Sequence, residues 1–193
     1  MLKKRIYITG VGGQGSLMAT ALIGQAAVIA GINVNLSEIH GMAQRGGIVE
    51  SSVMLGDIWS PTVSEAEADV LLGFEPLETI RAIRMCSRET TVITNSTPLK
   101  PFTVSIGKEQ YPDVFSELNK IEQRVKTLVR IDASSAARLA GNILSLNIVM
   151  LGAMAKYADL PLTADNIKNA ISKYTKPSFL NINTKAFDLG YLL

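Results

Sequence analysis

The stretch YITGVGGQGSLMATALIGQAA, Tyr7 to Ala27, constrains this chain more than any other. A short β-branched and aromatic run, Ile6 to Thr9, gives way to four glycines in six positions and then to an apolar segment, Ser16 to Ala30, that no proline interrupts. Strand, bare-backbone turn and helix in this order open a parallel α/β sheet, and the helix N-terminus presents free N–H groups to an anion. Gly10, Gly12 and Gly15 also fit the G-x-G-x-x-G spacing of dinucleotide-binding turns, with Gly13 and Gln14 inside it.

The pattern continues along the chain. Gly31 is placed to end the helix, and INVNLSEI alternates as a second strand that completes a βαβ unit by Ile39. HGMAQRGG is a loop by composition, and IVESSVMLGD is another alternating strand. Strand follows strand there without a helix, so an antiparallel or mixed element is expected. ADVLLGF and TTVITN read as buried strands flanking a helix over PLETIRAIRMCS. Pro98, Pro101 and Pro112 punctuate the stretch that follows. SELNKIEQRV is an amphipathic helix and TLVRIDA a strand. Ser134 or Ser135 is expected to cap a short helix through Leu139, Leu144 to Tyr157 forms an apolar helix, and LTADNIKNAISKY, capped by Thr163, forms the last one. The expected architecture is α/β: a single Rossmann-like domain over residues 1–193, with a mostly parallel sheet and helices on both faces.

Bulk properties remove several classes of function. A formal net charge of +2 offers no electrostatic footprint for nucleic acid or an anionic membrane. No apolar run is long enough to span a bilayer and the N-terminus does not resemble a signal peptide, so a cytoplasmic protein is expected. Cys86 is the only cysteine, which excludes an internal disulfide and a self-sufficient iron–sulfur ligand set. No metal site is expected.

Two loops carry the candidate chemistry. An NAD-binding reading of the glycine turn requires an acidic residue near the end of the second strand, and Glu38 stands there. Against that reading, the chain inserts a loop and another strand after Glu38 where a dinucleotide domain continues into its next helix. Gln14 either contacts a ligand or caps the turn. In the second loop His40, Gln44 and Arg45 bring three hydrogen-bonding side chains onto a glycine-flanked segment, which suits an anionic ligand as well as a structural histidine and a surface ion pair.

GVGGQG at the first turn, EIHGMAQRGG and ESSVMLGD after the second strand, and NIVMLGA at Asn147 to Ala153 together resemble the gamma-type subunit of 2-oxoacid:ferredoxin oxidoreductases, the pyruvate/ketoisovalerate oxidoreductase family. The form of the loop with His40, Gly41, Met42, Ala43 and Gln44 ahead of Arg45 is most similar to the beta subunit of indolepyruvate:ferredoxin oxidoreductase, where pyruvate-type members tend to carry Pro-Glu-x-Arg-Gly-Gly. The resemblance implies oxidative decarboxylation of a 2-oxoacid, with thiamine diphosphate attacking the substrate, iron–sulfur clusters passing electrons to ferredoxin, and coenzyme A taking the acyl group. This chain has no Gly-Asp-Gly motif for thiamine and no cysteine set, so the resemblance places both cofactors on a larger partner subunit and leaves this chain inactive alone. It implies catalytic contributions from His40 and Arg45, and a shared cofactor-binding surface, for coenzyme A, from Gly10, Gly12, Gly13, Gln14, Gly15 and Gln44. An isolated copy would hide the exposed apolar surface around Met42 and Trp59 by forming a homodimer. The alternatives are a free-standing NAD-dependent dehydrogenase using Gly10, Gly12, Gly15 and Glu38, and a non-catalytic docking subunit.

Overall fold

The computed structural model describes residues 3–40, 47–99, 104 and 110–193. Six strands form one sheet in the order β2-β3-β1-β4-β5-β6. They are β1 Lys3–Val11, β2 Val34–His40, β3 Ile48–Gly56, β4 Ala68–Gly73, β5 Cys86–Asn95 and β6 Thr127–Ile131. Seven helices are present among the described residues: α1 Ser16–Ile29, α2 Pro76–Arg81, α3 Val114–Glu122, α4 Ala133–Ala140, α5 Leu146–Tyr157, α6 Ala164–Tyr174 and α7 Leu180–Leu192.

β3 is the antiparallel element. It pairs with β1 on one side and β2 on the other, running against both, while β1, β4, β5 and β6 pair in parallel. The βαβ unit formed by β1, α1 and β2 is therefore split by β3, which pushes β2 to the outer edge. Alternation along β1 explains the layers. Ile6 and Ile8 join the core beneath α1, with Leu72, Ile93 and Phe187, whereas Tyr7 joins Leu71, Val92 and Met85 on the opposite face. That second face is covered over β4 and β5 by α2 and a 3₁₀ turn at Ala82–Met85, with α3 packed beside α2.

Several boundaries differ from expectation. The helix over PLETIRAIRMCS stops at Arg81 and tightens into the 3₁₀ turn, and Cys86 already belongs to β5, because pairing of Ala68 with Cys86 draws the chain into the sheet. The cap of α4 is not Ser134 or Ser135 but Asp132, whose carboxylate accepts from the Ser135 N–H. The apolar helix starts at Leu146 after a 3₁₀ turn at Ile143–Ser145. Thr163 caps α6 through a reciprocal capping box with Asn166, but α6 is not the last helix. α7 follows and packs along α5 at backbone contact. A Cβ at Gly152 would fall onto the Phe187 carbonyl oxygen, and one at Gly190 onto the Val149 carbonyl oxygen. No helix among the described residues is long and apolar enough to cross a membrane.

Candidate functional site at the carboxyl edge of the sheet

The sheet register sets the glycine turn level with the end of β2. His40 stands opposite Val49 and Val49 opposite Gly10, so β2 ends level with the point where β1 enters its glycine turn. The Gly12 N–H then donates to the Gly47 carbonyl at 2.8 Å, tying the turn to the far end of the second loop. The side chain of His40, and Gln44 and Arg45 entirely, lie outside the described residues.

The glycines answer to different constraints. At Gly10 a Cβ would lie 2.9 Å from Phe74 Cβ and 3.0 Å from Gln14 Oε1, so the position is kept bare for packing. Gly15 caps α1 with φ +79° against Asn147, whose Nδ2 donates to the Gly15 carbonyl at 3.3 Å. Gln14 turns inward: its Oε1 accepts from the Val11 N–H at 2.8 Å and its Nε2 donates to the Phe74 carbonyl at 3.0 Å. It caps the turn. Gly13, at φ +103°, has open space where a Cβ would stand, and with Gln14 it lines a cleft.

The cleft, of about 230 Å³, lies outside the carboxyl ends of β1 and β5, between Gly13, Thr97, Leu99, Ser134, Arg138 and Leu144. The N-terminal ends of α1, α4 and α5 all border it, so their positive dipole ends and the exposed Arg138 guanidinium bias it toward an anion. Its floor is held by Asn95, which is 1% exposed. Asn95 Oδ1 accepts from the N–H groups of Thr97 and Ala133 at 3.3 and 3.2 Å, and Nδ2 donates to the Phe74 carbonyl at 3.2 Å. One amide thus joins the ends of β4, β5 and β6. Asp132 sits at the rim, where the Ser135 hydroxyl and N–H, then Thr97, hold its carboxyl below the usual carboxylate range despite partial desolvation.

Glu75 braces the side of the cleft. It is buried, caps α2 by accepting from the Glu78 N–H at 3.0 Å, and its other oxygen accepts from the Leu99 N–H at 3.2 Å and the Tyr111 hydroxyl at 2.5 Å. Burial, then the Glu75 carboxylate, pushes the Tyr111 phenol far above its ordinary value, which keeps it a donor. Neither Glu75, Asn95, Asp132 nor Arg138 stood out in the sequence. The legible signal was a polar residue at or just beyond the end of each buried strand, in GFEP, ITNS and RIDA, where the chain turns at the carboxyl edge.

A second cavity, of about 350 Å³, opens on the other face, over the part of the sheet that α2 and α3 leave uncovered, between Tyr7, Ser37, Glu50, Ser52, Glu65 and Arg84. Burial and the adjacent Glu50 push the Tyr7 phenol well above its ordinary value. Nearby, burial raises the Glu78 carboxyl, whose Oε2 is buried without a partner, as is Thr9 Oγ1.

The cofactor reading divides cleanly. Cys86 is the only cysteine, so the chain's own residues do not supply the thiolate set of an iron–sulfur cluster. The cleft does fit an anion. For a dinucleotide the geometry is poor, because Glu38 lies on the outermost strand with β3 between it and β1, about 10 Å away across two strand spacings.

The family model described as pyruvate ferredoxin/flavodoxin oxidoreductase matches residues 5–193. The indolepyruvate oxidoreductase subunit IorB of Methanothermobacter thermautotrophicus is 39% identical over 186 residues, covering 96% of this chain and 95% of that protein. In fold, the chain is similar to the pyruvate oxidoreductase subunit PORC from Thermotoga maritima, with TM-score 0.74 at 19% identity over 100% of this chain and 97% of that one. It is also similar to the 2-oxoglutarate:ferredoxin oxidoreductase from Magnetococcus marinus with 2-oxoglutarate, coenzyme A and succinyl-CoA bound. There the TM-score is 0.75 at 20% identity, over 100% of this chain but 31% of that one.

Proposed function

The chain belongs to the pyruvate ferredoxin/flavodoxin oxidoreductase family and is a subunit of a 2-oxoacid oxidoreductase, and from that premise we propose that it is the small subunit of an enzyme that oxidises indolepyruvate or a related arylpyruvate. The observation that carries this reading is the near-complete, roughly 40% identity to IorB-type subunits, shared end to end rather than over one motif. Thiamine diphosphate and the iron–sulfur clusters belong to a larger partner subunit, which passes electrons to ferredoxin. A single, partly buried cysteine and the absence of a Gly-Asp-Gly motif support that division.

Within this assignment the chain's part is to build one wall of a site closed by the partner. Gly13 and Arg138 face the cleft, and the cleft's charge suits the diphosphate of coenzyme A. His40, Gln44 and Arg45 are assigned to the same site because they precede Gly47, whose carbonyl accepts from the Gly12 N–H, within a few residues in the sequence. Gln14 lines the same cleft while its amide holds the turn, and Gly10 and Gly15 support that wall through their close approach to Phe74 and Asn147.

The test is reconstitution. Co-expressed with the larger subunit, the chain should support ferredoxin reduction by indolepyruvate faster than by pyruvate, and neither substrate should turn over with the chain alone. Turnover by the isolated chain, or a saturable micromolar affinity for NAD, would return it to the dehydrogenase reading.

A further inference from the structure

Phe74 and Glu75, the two residues just beyond β4, hold both walls of the cleft without lining it. The Phe74 carbonyl accepts from Gln14 Nε2 at 3.0 Å, on the wall formed by the glycine turn, and from Asn95 Nδ2 at 3.2 Å, at the floor. Glu75 holds the opposite wall through Leu99, which lines the cleft and is half exposed. Leu99 has left β5 and follows Pro98, which has no N–H to offer, so after Thr97 the next main-chain donor is the Leu99 N–H. Glu75 Oε1 accepts it at 3.2 Å.

The position demands a carboxylate. Three donors converge on the Glu75 side chain, the Glu78 N–H at Oε2 and the Leu99 N–H and Tyr111 hydroxyl at Oε1. A carboxylate accepts on both oxygens, whereas the isosteric amide of glutamine turns an NH2 group toward one set of donors. Glu75 is 1% exposed, so water is not at hand to replace a lost partner. Because the helix cap uses one oxygen and Leu99 the other, the two roles are separable by substitution.

We infer that Glu75 is a positioning residue for the acyl acceptor: through the Leu99 N–H it sets the spacing between the Leu99 wall and the Gly13 wall, and so governs how tightly the cleft holds coenzyme A without touching it. This rests on the reading of the cleft given above and adds the residue that fixes its width.

The measurement is the Kd of coenzyme A for the reconstituted complex without 2-oxoacid, by titration calorimetry, beside the single-turnover reduction of ferredoxin without coenzyme A and the melting temperature of each variant. Glu75→Gln should weaken coenzyme A on the order of tenfold and leave the single-turnover rate unchanged. Glu75→Asp should do the same, and it carries the test if Glu75→Gln does not fold. Aspartate keeps the charge and is a good N-cap for α2, but it is shorter and withdraws from the Leu99 N–H. Leu99→Ala should also weaken binding, and the double variant with Glu75→Asp should be no weaker than the weaker single one, because Glu75 acts through Leu99. Thr163→Ala removes a cap on α6, which does not border the cleft, and should lower the melting temperature at wild-type Kd. A wild-type Kd in Glu75→Asp, full additivity with Leu99→Ala, or an equal weakening by Thr163→Ala overturns the inference, while weakening by Arg138→Ala keeps the reading of the cleft intact. If Arg138→Ala and Leu99→Ala both bind coenzyme A as wild type does, the cleft is not its site, and that reading falls together with the inference.

Discussion

Asp132 shows how a single side chain serves both the fold and the cleft. Its carboxylate accepts from the Ser135 N–H at 2.9 Å, capping α4, and from the Thr97 hydroxyl at 2.9 Å, holding the chain that leaves β5. Asp132→Ala should cost about 1 kcal/mol, the usual worth of an N-cap, seen as a lower midpoint in urea unfolding at pH 7. The pH dependence has a fixed sign. The native carboxyl is held below its ordinary value of 3.8, so its stabilisation is complete above that value and fades as pH falls through the native one. The gap between wild type and Asp132→Ala should therefore close on acidification, and a gap that widens instead would show that the hydrogen bonds do not favour the charged form. In the sequence the cap was assigned to Ser134 or Ser135. Serine and aspartate are both good caps, and only the position where β6 ends decides between them.

At the scale of elements, the most sensitive contact is the crossing of α5 and α7. Gly152 and Gly190 bring each helix onto the other's backbone carbonyls, and Phe187 buries its ring beside that crossing. Gly190→Ala should destabilise the protein by about 3 kcal/mol, at the upper end for overpacking, because a carbonyl cannot move aside as a flexible side chain can. A melting temperature within a degree of wild type would mean that the helices separate freely. This helix was also the least legible part of the sequence. Its buried face is Asn183, Ala186, Phe187 and Gly190, a mixture of small, polar and aromatic residues without an aliphatic stripe, so helical periodicity is faint. α6 was legible for the opposite reason: Ile167, Ala170 and Ile171 face inward between charges, and Thr163 marks its start. The strand–turn–helix at the N-terminus and the irregular direction of β3 were legible too. That β3 would lie between β1 and β2 was not, because pairing partners are decided by long-range contacts that local alternation does not encode. The same holds for the cleft. Gly13 was visible as part of a motif, whereas Arg138, far along the chain, reaches that edge only through the order of the strands.

For the molecule as a whole, the split βαβ unit has a functional consequence. Inserting β3 moves β2 and Glu38 outward, away from the glycine turn, and brings Gly47 to the Gly12 N–H instead. Two arginines are thus candidates for an anionic group of coenzyme A, Arg138 on α4 at the cleft and Arg45, which precedes Gly47 in the sequence and lies outside the described residues. The complete complex separates them. Reduction of ferredoxin by 2-oxoacid in a single turnover without coenzyme A reports decarboxylation, and steady-state turnover with coenzyme A reports the acyl acceptor as well. Arg138→Ala should leave the single-turnover rate unchanged and raise KM for coenzyme A by about tenfold to a hundredfold, the range expected for losing a contact worth about 1.5–3 kcal/mol to a charged group. Arg138→Lys should recover only part of that loss, because an ammonium does not reproduce the planar fork. If Arg45→Lys carries the KM effect and Arg138→Ala does not, the coenzyme site lies over the second loop and the cleft is only its neighbour. If Arg138→Ala slows the single turnover without coenzyme A, the guanidinium acts on the 2-oxoacid carboxylate, and the cleft belongs to the substrate.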